Sequence, residues 1–524
     1  MIKTKLLVLG LALLMFYTVP TTNSARIFGF FTTPSRSHFI IQESLMRELA
    51  TRGHDVTVLT TFDQIGKPLK NYRYIKVKPN EEDEMESLKD QMMNNAEENK
   101  DNFFAVLPKL VNSMTSAASH LLNSPQLAEL KKEQFDLIVF GWFINDFQIG
   151  LASHFNVPSV IISVVPNVKL MRDYVGNPAE VSAVPALNMN SKGPMTFLQR
   201  AKNLFIHCIE FVLVNIFEYF IMNPLYVQHF PPDKYPSYDE AKRNVSLVLI
   251  NSHFSQGTPS ALVPGLIEFS GMHIKRQPDP LPENIKQWLD TATDGAILFS
   301  MGSNIRSSQL SVEKRDALLR TFAKIKQKIL WKFEEDLPNK PANVMISKWL
   351  PQDDVLAHPN MKLFISHCGK GGLSEAKYHG VPVLGIPIFG DQQSNIQIAV
   401  AEGWALQLQY SEVTEETFSR TLNEMLQNAT YRQVIKKLSF MFRDRPQHPV
   451  DNAAFWVEYV IRHRGAKHMQ SPAVHLNFFQ YYSLDVLAVL FVVIYLSYKF
   501  TKCAIKMLFR KCCGSGKSIK RKED

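Results

Sequence analysis

Short apolar runs rich in β-branched and aromatic residues alternate with helical patterns along most of the chain. In the first half, strand-length runs fall at Arg26–Phe31, Asp55–Leu59, Phe135–Phe140 and Ser159–Ser163. In the second half they fall at Ala296–Met301, Lys328–Phe333, Lys362–Ser366, Pro382–Pro387 and Ala405–Leu408. Strands alternating with helical segments predict an α/β fold of parallel sheets covered by helices. The Ser37–Arg52 segment reads as a helix closed by Gly53, which suits the left-handed residue after a helix end. Leu204–Met222 is apolar but interrupted by His207, Glu210 and Glu218, so it reads as a helix packed on its domain or resting on a membrane, not as a span.

The ends of the chain carry a different pattern. Lys3 and Lys5 precede the apolar run Leu6–Tyr17, and small residues follow at Ser24 and Ala25, the layout of a cleaved secretory signal. Tyr481–Tyr498 is apolar apart from Asp485, its serines and the tyrosine hydroxyls, just long enough to cross a bilayer. The expected organisation is a signal peptide (1–24), an N-terminal domain (25–275) and a proline-rich linker (276–282). A C-terminal domain with a returning helix (283–466), a juxtamembrane linker (467–480), a transmembrane helix (481–498) and a tail (499–524) complete it.

The 524-residue composition, 45% apolar and 20% charged, excludes a mostly disordered or fibrous chain. The net charge of +9 lies at the ends. The tail after Tyr498 carries +7 and the signal's two lysines +2, leaving the rest neutral. The charge therefore gives no reason to expect a nucleic-acid partner, and no aromatic-basic stacking surface accompanies it. A basic tail after the span places it in the cytosol and the preceding domains in the lumen. Only Cys208 and Cys368 fall in those domains, too few for a disulfide framework, while Cys503, Cys512 and Cys513 fall in the tail. Asn244 and Asn428 open N-glycosylation sequons. The acidic run Glu81–Glu86 reads as a solvated face, and the tail's GSGKS lacks the first glycine and the preceding strand of a phosphate-binding loop.

The chemistry concentrates between Trp349 and Asn395. A strand delivers His367, and a turn containing Gly369, Gly371 and Gly372 opens a helix carrying Glu375. A strand end, close backbone approach and a helix N-terminus together make an anion site. Trp349 offers a flat face for a base, Gln352 both a donor and an acceptor, and Glu375 a carboxylate for ribose hydroxyls. Asp391 and Gln392 follow another strand and can hold sugar hydroxyls. This suits a nucleoside diphosphate carrying a sugar.

The pattern W-x-x-Q, H-x-G, E, H-G-x-P and D-Q resembles the signature of the UDP-glycosyltransferases, glycosyltransferase family 1, and HGVPVLGIPIFGDQ resembles the invertebrate members. The resemblance implies a GT-B architecture, two Rossmann-like domains facing across a cleft, with the acceptor in the first half and UDP-sugar in the second. It assigns Trp349 to uracil, Gln352 to the nucleoside and Glu375 to ribose. His367, the backbone after Gly369, and Ser303 in the FSMGS loop fall to the diphosphate, and Asp391 and Gln392 to the sugar. Gly371, Gly372 and Lys370 depart from the usual asparagine, serine and apolar residue.

His38 follows the first strand, where open α/β sheets bind ligands, and matches the family's catalytic histidine. The acid that usually orients it is replaced by Gly141; Asp146 is the nearest following carboxylate, a candidate orienter or a simple helix-start residue. The reading is an inverting UDP-glycosyltransferase of the endoplasmic reticulum that transfers a hexose, with glucose the expected sugar, to a small lipophilic acceptor. UDP-sugar is a co-substrate, no cofactor or metal is expected, and homo-oligomerisation stays open. The competing reading is a non-catalytic, membrane-anchored carrier of UDP-sugar or lipophilic ligands.

Overall fold

The computed structural model describes residues 24–79, 82–98, 103–186, 189 and 193–513. The signal-peptide expectation, the GSGKS segment and the last residues of the tail lie outside them, as do the side chains of Cys512 and Cys513. The chain forms two units, one up to Gln470 and one from Ser471 onward.

The first unit holds two parallel sheets. The seven strands of the first are β1 (Arg26–Phe31), β2 (Asp55–Thr60), β3 (Tyr72–Lys76), β4 (Leu137–Trp142), β5 (Ser159–Ser163), β6 (Val245–Ile250) and β7 (Leu266–Glu268). Their order is β3-β2-β1-β4-β5-β6-β7. The second sheet contains β8 (Ala296–Ser300), β9 (Lys328–Lys332), β10 (Val344–Ser347), β11 (Met361–Ser366), β12 (Val383–Gly385) and β13 (Ala405–Gln407) in the order β10-β9-β8-β11-β12-β13. Winding in each sheet reverses once, between β1 and β4 and between β8 and β11. At such a switch point the connections leave in opposite directions and open a crevice beyond the strand ends.

All nine expected strands form, with ends shifted by up to two residues. The structure adds β3, β6, β7 and β10. β3 and β10 are edge strands, only partly buried, and β7 has three residues, so none leaves a long apolar run. β6 is buried at every position, and its run VSLVLI was readable.

The Arg36–Thr51 helix packs Phe39, Leu45, Met46 and Leu49 onto the first sheet. The helix Pro449–Arg462, although it follows the second sheet in sequence, adds Ala453, Ala454, Val457 and Val460 to the same core. Arg52 holds it there through Asp451 at 2.6 Å and Glu458 at 3.4 Å.

The Phe197–Phe217 helix continues through a wider turn, Glu218–Met222, into Asn223–His229. By length and composition it is apolar enough to cross a membrane. Its anchoring argues for a surface position. Asn203, Glu210 and Glu218 recur about every two turns on one face and bind the domain: Asn203 to Ala186, Val181 and Val184, Glu210 to Lys169 and Arg172, Glu218 to Lys242. Leu198, Phe205, Val212 and Phe220 are exposed.

In the second unit, a short helix Phe478–Tyr481 ends at a turn with Ser483 at φ 54°, and a 30-residue helix runs from Leu484 to Cys513. The membrane-length segment is Leu484–Arg510, later and longer than the expected 481–498. Lys499, Lys502 and Lys506 do not interrupt it, because lysine favours helix and Ile505, Leu508 and Phe509 continue the apolar pattern.

Candidate active site

His38 and Ser303 follow the central strands β1 and β8, and His367 follows β11, so each stands beyond a switch point. The loop before His38 touches the loop carrying Ser303: Asn304 Nδ2 donates to Ser35 Oγ at 3.1 Å. The Arg36 guanidinium lies 4.8 Å from the centre of the Trp349 ring, a second contact between the two halves. Arg36, Asn304 and His273 gave no sequence signal as site residues, because pairs far apart along the chain leave no periodicity.

At the second sheet, the His367 ring is wedged between two glycines. A Cβ at Gly302 would fall 2.4 Å from its Cε1, and one at Gly369 would fall 2.6 Å from its Nε2. Gly302 also has φ +83°, a conformation costly to any side chain. His367 Nδ1 and Ser303 Oγ are buried and make no hydrogen bond among the described residues. Such atoms rarely stay unpaired, and two together, beside the N-terminus of the ten-residue Lys370–His379 helix, suit an oxygen-rich anion. Desolvation pushes the His367 pKa down to about 4; a hydrogen bond involving the Ser300 backbone opposes this, and the Lys332 charge reinforces it. The ring is therefore neutral near pH 7, a hydrogen-bond partner and not a fixed cation.

Gln352 Nε2 donates to Glu375 Oε2, and His273 Nε2 stands 3.4 Å from Glu375 Oε1. Burial works against protonating His273, but the hydrogen bond and charge of Glu375, with the charge of Asp353, hold its pKa above the usual value. Trp349 is half exposed, and Ser347 Oγ, donating to its carbonyl, pins its loop. The base, nucleoside and ribose candidates thus stand together. Asp391 stands at the start of the Gln392–Glu402 helix without a side-chain capping bond, and its Oδ2 accepts from Asn395 Nδ2 at 2.7 Å. Gln392 is buried, its oxygen taking the N–H groups of Ile388 and Phe389, so it shapes the loop of the candidate sugar site. Gly371 faces His273, with Nε2 at 3.7 Å from a Cβ placed there.

Neighbouring histidines and a cysteine hold structural positions. His358 meets Asp290 at 3.1 Å and His379 meets Asp353 at 2.6 Å. Cys368 is fully buried at φ 70°, and burial, with the Asp391 charge, drives its thiol pKa far upward, which disfavours a nucleophilic thiolate.

In the first half, His38 Nδ1 lies 3.4 Å from Thr33 Oγ1 and its ring meets Phe143 edge-on at 4.7 Å. Burial lowers its pKa to about 4, leaving a neutral imidazole. Asp146 does not join it. Its Oδ1 accepts from Trp142 Nε1 at 2.8 Å and from the Tyr174 hydroxyl, and burial raises its pKa. The turn after β4 directs Asp146 into the core, while Asn145 and Gln148 bind the Gly141 carbonyl. Among the described residues, no three His, Cys, Asp or Glu side chains gather as a metal-binding group would require.

Comparison with known proteins places the chain in a family. The family described as UDP-glucoronosyl and UDP-glucosyl transferase matches residues 31–519. UDP-glycosyltransferase UGT5 of Dactylopius coccus is 36% identical, covering 95% of each chain. UDP-glucosyltransferase 2 of the same organism is 34% identical over 96% of this chain and 97% of its own. UDP-glucuronosyltransferase 2C1 of Oryctolagus cuniculus is 30% identical over 93% and 99%. Among solved structures, Arabidopsis thaliana UGT89C1 complexed with UDP-L-rhamnose superposes with a TM-score of 0.55 at 17% identity, covering 84% of this chain and 99% of its own. The protein is a GT-B enzyme that transfers sugar from a UDP-sugar to an acceptor, and the chain belongs to the UDP-glycosyltransferase family.

Proposed function

We propose that the enzyme transfers a hexose with inversion to the hydroxyl of a small lipophilic acceptor, with His38 as general base. His38 Nε2 takes the hydroxyl proton as the acceptor oxygen attacks the anomeric carbon. The bond from that carbon to the diphosphate breaks, and its electron pair leaves with UDP. His367, Ser303 and the backbone after Gly369 stabilise the departing diphosphate, without a divalent cation. Trp349 stacks on uracil, Gln352 and Glu375 hold the nucleoside and ribose, and Asp391 and Gln392 hold the sugar. The observation carrying this reading is the Ser35–Asn304 contact, which sets the His38 loop against the Ser303 loop.

Glucose is the proposed sugar, supported by the relative named as a glucosyltransferase. The proposed location is the endoplasmic reticulum membrane, with a cleaved signal peptide, luminal catalytic domains and Leu484–Arg510 as the single span. Small lipophilic acceptors fit a role in detoxification. The carrier reading draws on one observation, that among the described residues no carboxylate hydrogen-bonds to His38.

Purified full-length enzyme is incubated with UDP-glucose, UDP-glucuronic acid or UDP-galactose and a panel of phenols, with and without EDTA, and glycosides are followed by mass. Glucoside formation that resists EDTA and disappears in His38→Ala, with UDP binding intact, is expected. Full turnover by His38→Ala removes the base assignment. Absence of any product from wild type, with UDP still bound, favours the carrier.

A further inference from the structure

The Arg36–Thr51 helix carries an anomaly in the face it buries. Phe39, Met46 and Leu49 are apolar and fully enclosed, as a core-facing stripe demands, but the equally enclosed Gln42 stands between them. Neither Nε2 nor Oε1 of Gln42 makes a hydrogen bond among the described residues. Leaving such an amide unpaired costs on the order of 1–3 kcal/mol per polar group, so its retention needs a reason.

Its position supplies one. Gln42 lies one helical turn after His38, and residues four apart share a helix face. Both look onto the end of β4: the His38 ring meets Phe143, and the Gln42 carboxamide covers Gly141. A Cβ at Gly141 would fall 2.4 Å from Gln42 Nε2 and 2.6 Å from Oε1. Gln42 therefore fills the space that a side chain at position 141 would need. Glycine at 141 and glutamine at 42 are one arrangement.

Resting on the assignment of His38 as base, we propose that Gln42 is its positioning residue. In the reacting complex the carboxamide, unpaired in this structure, turns so that its oxygen receives the Nδ1–H of His38 while His38 Nε2 takes the acceptor's proton. Among the described residues, the one polar contact at Nδ1, Thr33 Oγ1 at 3.4 Å, is long, and that hydroxyl also receives the Ser35 N–H. The amide orients the imidazole without adding charge.

Among the described residues, the carboxylates around this helix bond to groups other than His38. On the helix itself, Arg36 covers Trp349, Glu43 accepts from Ile65 and Tyr72 and meets Arg47, and Glu48 pairs with Arg52. Asp146, after β4, accepts from Trp142 and Tyr174. Asp63, after β2, pairs with Lys76. Asp451 and Glu458, on the Pro449–Arg462 helix, bind Arg52. His38 thus works in a neutral shell, and its low pKa of about 4 agrees with this.

Pre-steady-state turnover, pH profiles of kcat/KM and UDP binding of the full-length enzyme test the assignment. Gln42→Leu is expected to lower kcat about 10- to 100-fold, with UDP affinity unchanged and thermal stability equal or higher, since an unpaired buried amide is removed. Gln42→Glu should move the acid limb of the profile upward by about one pH unit or more, because a carboxylate stabilises the imidazolium. As a second route, Gly141→Asp combined with Gln42→Ala should fold and show the same raised limb, whereas Gly141→Asp alone clashes with the amide. Wild-type kcat in Gln42→Leu together with an unmoved limb in the carboxylate variants overturns the proposal. Loss of turnover in His38→Ala alongside that result leaves the base standing and removes only Gln42; full turnover in His38→Ala removes the base itself.

Discussion

Replacing Gly302 by alanine tests the diphosphate site through a residue that brings no side chain to it. The new Cβ would stand 2.4 Å from His367 Cε1, whereas ordinary contact begins near 3.4 Å, so the ring must retreat by about 1 Å. The backbone at φ +83° adds strain of about 1–2 kcal/mol for a residue with a Cβ, and the crowding adds about 1–3 kcal/mol. Gly390→Ala is the control: its φ is +67° and nothing lies within 4 Å of the added methyl, so it carries the strain without the collision. A hydrogen bond to a charged group is worth about 1.5–3 kcal/mol, so displacing His367 should weaken UDP binding about 10- to 150-fold. Isothermal titration with UDP and calorimetric unfolding separate the two effects. Gly302→Ala should lose both affinity and stability, and Gly390→Ala mainly stability. Combined with His367→Ala, Gly302→Ala should cost no further affinity, since the ring it displaces is gone. UDP binding by Gly302→Ala within threefold of wild type would refute the placement of His367 on the diphosphate.

Trp349→Ala should weaken UDP binding about 5- to 150-fold through lost base stacking of about 1–3 kcal/mol, and UDP titration measures it; an unchanged Kd removes the stacking role. Glu43 is buried, and burial raises its pKa from 4.5 to about 7 against the opposing pulls of the Ile65 N–H, Arg47 and Tyr72. The folded state therefore holds a proton that the unfolded state releases between those values, and this contribution to stability is lost as pH climbs from about 4.5 through 7. Glu43→Gln should be more stable than wild type by up to about 3 kcal/mol at pH 8 and about equal to it near pH 4.5, as read by denaturant unfolding at the two pH values. Asn244 is exposed at a helix end, whereas the Asn428 side chain caps the helix Ala429–Arg443 and donates to Glu424 at 2.8 Å. A glycan on Asn428 would disrupt that cap, so glycosidase treatment should shift wild type and Asn428→Gln alike but not Asn244→Gln.

Local grammar carried much of this protein. Continuous apolar runs marked the central strands because a strand buried on both faces has no polar side to show, and W-x-x-Q to D-Q kept its register because one strand-turn-helix run holds most of it. The assignment of Asp146 rested on nearness in sequence to Gly141. Of the two alternatives, orienter or helix-start residue, the turn after β4 favours the second, for Asp146 opens the Asp146–Ile149 turn and its Oδ1 goes to Tyr174 and Trp142. Gln42, a polar residue inside an apolar stripe, was visible in the sequence, but its meaning depended on which strand end it faced.

The sequence by itself determined the α/β architecture, the residues that follow the strands and the apolar run that forms the Leu484–Arg510 helix segment, all properties of short range and regular period. Tertiary structure alone decided the pairings across long loops: Arg36 over Trp349, Ser35 against Asn304, His273 on Glu375, and the late Pro449–Arg462 helix packed into the first core. Contacts between residues more than a hundred positions apart arise from how two sheets and their covering helices pack, and no local pattern encodes them. The surroundings of His38 belong to the same class: among the described residues, packing sets each nearby carboxylate against a group other than His38.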